Sequence, residues 1–423
     1  MSVLRCILGP SIHGPLAGVA CALMAVASMN VAAEPIRIGC SMSQTGPLAA
    51  AGKSALLAFD IWREETNAKG GLLGRPVEIV CYDDQSNPSL VPGIYSKLLD
   101  VDKVDLVVSA YGTNQIAPAM PVVMRHGMLF MALFGTGVNE DFRYDKYFQI
   151  LPNGKEGKVG YSRGFLDIAM SMDPKPQTIA LAGADAEFAQ NVLKGMRENV
   201  AHLGLKTVYD RSYPPNTVDF AALVRSIQAT NPDVVFIASY PPDSVGIVRA
   251  ANEVGLSPRM FGGGMIGLAY ASIKLQLGPL LNGIVANDVY APEPTMKFPG
   301  IDDFLVHYRE RAAKAGVDPL GQFLPPYAYA EMQVLAQAVA ATQSLDQGKL
   351  AAYVHATGFS TIVGDVKFSD SGEWEKGRLL YIQYQGIKGS DIEQFKLPGR
   401  QVILSPAELK SGKFIYPYAD AKR

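Results

Sequence analysis

Residues Ser43 to Leu48 read S-Q-T-G-P-L, Asn67 to Val80 read N-A-K-G-G-L-L-G-R-P-V-E-I-V, and Tyr82 to Pro88 read Y-D-D-Q-S-N-P. With the apolar run I-R-I-G-C from Ile36 in front, the order is strand, loop, helix, tight turn, strand. Gly70, Gly71 and Gly74 stop the helix and turn the chain. V-E-I-V-C from Val77 is the second strand, and Asp83 and Asp84 at its end are placed to accept loop N–H groups and to cap the next helix. Strands joined by a crossover helix run parallel, so this stretch opens a parallel sheet.

The pattern continues outward from there. V-D-L-V-V from Val104 and M-L-F-M-A from Met128 extend the first set of strands, with helices near 48–68, 88–100 and 114–125. A second set starts after Pro152, with strands at Thr178, Thr207, Asp233 and a short one at Met260-Phe261, and helices near 155–171, 186–203, 219–229 and 243–254. Val- and Ile-rich runs alternating with helical patterns argue for parallel sheets covered on both faces. The fold class is therefore α/β, with two doubly wound sheets. The chain then runs through I-V-A-N-D-V-Y from Ile284 into helices near 300–315 and 326–343, and ends in short strands near Ile362, Val366 and Leu379–Tyr384.

Residues 1–33 carry Arg5, a small apolar run from Pro15 to Met29, and small residues at Val31-Ala32-Ala33, the pattern of a signal peptide cleaved before Glu34. The run is shorter than the ~20 residues of a membrane-spanning helix. Lipid attachment at Cys21 is the weaker alternative, because Gly18 stands where Leu is expected. Removing 33 of the 423 residues leaves 390, more than one core usually holds, which points to two domains. The net charge is −2, or −3 without Arg5, with no basic run, so nucleic acid and anionic membranes are poor partners. Cys6 and Cys21 leave with the signal. An oxidising compartment permits a bond between Cys40 and Cys81, but parallel neighbours rarely offer the geometry, so two buried thiols are expected.

Enzyme signatures are weak. Gly46 to Ser54 reads G-P-L-A-A-A-G-K-S, one residue longer between its glycines than a phosphate loop, and Pro47 lacks a donor N–H. Lys53 reads instead as a solvated helix residue. There is no G-x-S-x-G elbow, and the five histidines have no metal-ligand spacing.

The order of motifs from Ser43 to Pro88 resembles the N-terminal lobe of type I periplasmic binding proteins of the branched-chain amino acid (Leu/Ile/Val) ABC-transporter family. The resemblance implies a clamshell of two lobes joined by a three-crossover hinge, with 34–151 plus 289–360 in the N-terminal lobe and 152–288 plus 361–423 in the C-terminal lobe. It implies a periplasmic, monomeric solute receptor with a small-molecule ligand and a membrane permease as partners, no cofactor, no metal and no catalysis. A ligand-sensing subunit of a signalling system, an amino acid or amide receptor, and an enzyme are the alternatives.

In open α/β sheets ligands sit beyond the carboxyl ends of the strands, so the loops at 43–52, 109–116 and 132–139 are the places to look. By resemblance, Tyr111, Gly112 and Thr113 present a hydroxyl and N–H groups to a carboxylate, and Phe134, Gly135 and Thr136 supply a second grip. Tyr240, Phe188 and Tyr327 match the family's aromatic positions. Two departures concern the ligand. The segment F-G-G-G-M-I-G from Phe261 supplies Gly264 or Met265 where amino-acid binders place an acid, and Ala51 leaves space where an aromatic is common. A buried ammonium without a carboxylate is costly. The expectation is a bulkier acid without an amine, such as an aromatic carboxylate, unless Asp243 supplies the missing charge.

Overall fold

The computed structural model describes residues 34–422. The export signal expected over residues 1–33 lies outside the described residues. Strands β1 (Ile36–Met42), β2 (Val77–Asp83), β3 (Leu106–Tyr111), β4 (Phe130–Leu133) and β5 (Tyr147–Gln149) form one sheet in the order β2-β1-β3-β4-β5, every neighbouring pair parallel. β3 and β4 are buried at every residue, which explains why they read as continuous apolar runs instead of alternating ones.

The second sheet repeats the pattern. β6 (Thr178–Ala184), β7 (Lys206–Tyr213), β8 (Val234–Ser239), β9 (Met260–Met265) and β10 (Val285–Asp288) run parallel in the order β7-β6-β8-β9-β10. After a hairpin of β11 (Gly358–Thr361) and β12 (Gly364–Lys367), β13 (Leu380–Tyr384) and β14 (Gln401–Ser405) add antiparallel beyond β10. The doubly wound α/β architecture is thus present twice. The helices Ile301–Ala315 and Pro325–Thr342 leave β10 and pack on the helix Ala49–Ala68 of the first sheet. Phe368, just after β12, packs on Phe148 of β5 at 5.3 Å between ring centres.

Three local expectations change. Cys40 and Cys81 form a disulfide instead of two thiols. The β1–β2 register sets them directly opposite, 4.5 Å between Cα atoms, inside the range a disulfide spans. β9 extends to Met265 through three consecutive glycines that local propensity reads as a loop. Gly262 explains their use: its φ is +152°, and a Cβ there would stand 1.8 Å from the Val285 carbonyl oxygen, so only glycine lets β9 lie against β10. β5, β14 and the helix Gln347–Ala356 are not expected from the sequence; β5 has three residues, too few for a periodicity to register.

Candidate functional site

The loop after β1 is held by the two aspartates at the end of β2. Asp84 accepts from the hydroxyls of Ser41 and Ser43, and Asp83 from Gln44 N–H at 2.8 Å and Thr45 Oγ1 at 2.7 Å. This is the structural role expected of them, and it fixes Leu48 at one wall of a cleft. After β3, Gly112 turns at a φ of +91° into a short helix starting at Thr113. After β4, Phe134 takes a φ of +68°, a sparsely populated state for a side chain of its size. Its ring is held against Phe323 and Tyr327, each 5.4 Å away between ring centres.

These two loops meet. The N–H of Thr136 donates to Thr113 Oγ1 at 2.9 Å. Having accepted that bond, the Thr113 hydroxyl still has its own proton to donate. Thr136 Oγ1 is fully buried and has no partner. The first-turn N–H groups of Thr113 and Asn114 are of the kind a helix leaves without intrahelical acceptors. One wall of the cleft is therefore a cluster of uncharged donors.

The facing wall comes from the second sheet. Phe188 opens the helix Glu187–Leu203 after β6, Tyr240 precedes the helix Pro241–Val254 after β8, and Ile266 follows β9. Tyr161, on the helix Gly157–Met170, and Asn287 of β10 complete it. The Tyr161 hydroxyl and the Asn287 Oδ1 are buried and unpartnered, like Thr136 Oγ1. Burial pushes the Tyr161 and Tyr240 phenols up from their usual range, so both stay neutral hydrogen-bonding groups. About 470 Å³ of atom-free space, its open mouth included, lies between the walls. No charged side chain of the described residues lines it.

The walls are joined across the mouth. Asn114 Oδ1 accepts from Tyr240 Oη at 2.7 Å and from Phe188 N–H at 3.0 Å, and Asn191 Nδ2 donates to the Thr136 carbonyl at 3.0 Å. Tyr270 Oη donates to Tyr111 Oη at 3.2 Å.

Of the residues singled out in the sequence, Tyr111, Gly112, Thr113, Phe134, Thr136, Phe188 and Tyr240 come together on this cleft. Four do not line it. Ala51 faces a neighbouring pocket beside Tyr270 and Asp318. Gly135 is packed beneath Gln149 and Tyr147, its carbonyl accepting from Gln149 Nε2. Met265 is buried at the end of β9, and Tyr327 lies behind Phe134 with its hydroxyl on the Val289 carbonyl at 3.2 Å. Asp243 opens onto an outer pocket at the mouth, where Tyr213 Oη donates to it at 3.1 Å, and does not reach the inner cleft. Sequence reading misses Tyr161 and Asn287, which sit inside regular elements away from strand-end loops, and Asn114, whose only signal is its place beside Thr113.

Comparison with known proteins agrees with this geometry. The sequence profile described as "Periplasmic binding protein" matches residues 35–379. The Leu/Ile/Val-binding protein homolog 7 of Brucella melitensis is 26% identical over 417 residues, covering 89% of this chain and 98% of its own. A leucine-binding protein from Thermotoga maritima superposes with a TM-score of 0.71 at 18% identity, covering 82% of this chain and 95% of that one. A solute-binding protein of an ABC transporter from R. palustris, solved in complex with benzoate, gives 0.71 at 15% identity, with 88% and 95% covered. The profile spans most of the chain, two α/β sheets flank an uncharged cleft, and the chain belongs to the periplasmic binding protein family, whose members are solute-binding proteins of ABC importers and not enzymes.

Proposed function

We propose that the cleft captures a small carboxylate lacking an amine, an aromatic carboxylate in the first instance, and that the closed protein delivers it to a membrane permease. The observation that carries this reading is the make-up of the walls. A carboxylate can be held by neutral donors, and the hydroxyls of Thr113 and Thr136 supply them. An ammonium would be buried with no carboxylate to offset its desolvation. Phe134, Phe188, Tyr240 and Phe323 supply aromatic surface for the body of the ligand. The benzoate in the R. palustris relative is a ligand of this chemistry. The names of the Brucella and Thermotoga relatives favour a second reading, a branched-chain amino acid. The acid singled out in the sequence, Asp243, would then have to turn inward from the outer mouth.

The proposal extends to the chain's organisation. Residues 1–33 are an export signal cleaved before Glu34, and the mature protein is a periplasmic monomer. The lobes are 34–151 with 289–360 and 152–288 with 361–423. Isothermal titration of residues 34–423 tests the ligand reading. Binding of benzoate or 4-methylpentanoate and not of leucine or leucinamide is the expected result; tight leucine binding with no carboxylate binding would sink it.

A further inference from the structure

Among the buried polar atoms without a partner, three line the cleft, and two of them converge on one spot of the second wall. β9 and β10 pair in parallel with Gly262 beside Val285 and Gly263 beside Ala286, and carrying that register one step sets Asn287 beside Gly264 on the same face. A Cβ built on Gly264 would stand 3.2 Å from Tyr161 Cε1 and 3.6 Å from Tyr161 Oη. Neighbouring strands lie about 4.8 Å apart, so the phenol oxygen and the Asn287 amide flank the same bare patch of backbone. Both residues are almost wholly buried, Tyr161 at 1% exposure and Asn287 at 5%, and neither the Tyr161 hydroxyl nor Asn287 Oδ1 has a partner among the described residues.

Two orphaned polar atoms at one place cost free energy unless water or a ligand satisfies them, and a ligand that displaces the water without replacing its hydrogen bonds binds less well. The niche is neutral: no carboxylate of the described residues lines the cleft, and the phenol is held protonated by burial. Asn287 Oδ1 needs a donor, whereas the Tyr161 hydroxyl can give or take. A hydroxyl meets both demands, because it donates to the amide oxygen while accepting from the phenol. A bare hydrocarbon meets neither.

Resting on the carboxylate reading above, we propose that Tyr161 and Asn287 form a hydroxyl-reading niche, and that the ligand is a hydroxylated carboxylate. The ligand then bears polar groups of two kinds: a carboxylate on Thr113 and Thr136, and a neutral hydroxyl over Gly264. Specificity of this sort is strong, since a site built to hydrogen-bond a hydroxyl rejects the analogue lacking it by leaving its own buried groups unpaired.

The test is titration of the wild-type chain, Tyr161→Phe and Asn287→Leu with matched pairs: benzoate against 2-, 3- and 4-hydroxybenzoate, and 4-methylpentanoate against 2-hydroxy-4-methylpentanoate. One hydroxylated member is expected to bind wild type at least about tenfold tighter than its parent. Tyr161→Phe, with unchanged circular dichroism, is expected to erase that preference, read as the ratio of the two affinities of each matched pair measured on the same variant. Equal affinity of every pair for wild type overturns the niche but leaves the carboxylate reading standing. A preference that survives both substitutions also overturns it. Absence of binding by all six carboxylates removes the carboxylate reading and this inference together.

Discussion

Thr136 carries the clearest residue-level consequence. Its hydroxyl is buried without a partner, so replacing it with the isosteric Val removes an uncompensated desolvation cost and breaks no internal bond. Thr136→Val is expected to leave the melting temperature unchanged or raised while weakening carboxylate binding roughly tenfold to a hundredfold, the loss of one hydrogen bond to a charged group. Titration and a thermal melt of the same sample check both halves; an unchanged affinity would mean the hydroxyl does not meet the ligand. Glu331 is the opposite case, a buried carboxyl on the helix Pro325–Thr342 with both oxygens unpartnered. Burial raises its pKa well above the usual carboxylate range. A carboxyl raised in the folded state binds more protons there than when unfolded, so its effect on stability is absent well below the ordinary value and becomes destabilising as pH rises from about 4.5. Glu331→Met is accordingly expected to raise the melting temperature by roughly 2–4 °C or more at pH 8 and by less at pH 5. Equal shifts at the two pH values would show that Glu331 is satisfied in the folded protein.

At the scale of elements, the sheets are legible where strands are buried on both faces. β3, β4 and β8 read as unbroken apolar runs and are located from them. A local reading cuts β9 to two residues because Gly262, Gly263 and Gly264 carry no strand propensity; what makes that segment a strand is the close approach of β10, a long-range contact that local sequence cannot register. The same limit hides half of the candidate site. The first wall lies on strand-end loops, where topology alone directs attention, and Tyr111 to Thr113 with Phe134 and Thr136 are found there. Tyr161 and Asn287 sit within a helix and a strand, and only the packing of that helix over β9 brings them to the cleft. The disulfide escapes the sequence for a related reason: a register decides it, and the register of β1 on β2 is set by the whole sheet. Gly262→Ala is expected to destabilise by roughly 3 kcal/mol or more in urea unfolding, because its Cβ would overlap the Val285 carbonyl. Reduction of Cys40–Cys81, which closes a segment of 41 residues, is expected to lower stability by roughly 2–4 kcal/mol; a melt unchanged by dithiothreitol would contradict a structural role.

For the whole molecule, the two walls are joined by several polar groups, Tyr270 on Tyr111 and Lys158 on Asp141 among them. Asn114 receives two hydrogen bonds from the opposite wall, and Asn191 reaches Thr136 with a third. Hinge closure of two preformed walls over a solute is the motion such an arrangement serves. Asn114→Ala is expected to favour a more open form, seen as a larger radius of gyration in small-angle scattering without ligand and as a several-fold weaker affinity. An unchanged radius would mean that other contacts hold the walls together. The most direct test of the central claim is the thermal shift of residues 34–423 with amine-free carboxylates set beside the amino acids of matching shape, since a ligand that binds only the folded state raises the melting temperature by mass action. Stabilisation by the carboxylates and none by the amino acids is the expected result. Stabilisation by leucine, isoleucine or valine alone would show that an ammonium is held in the cleft and would contradict the account.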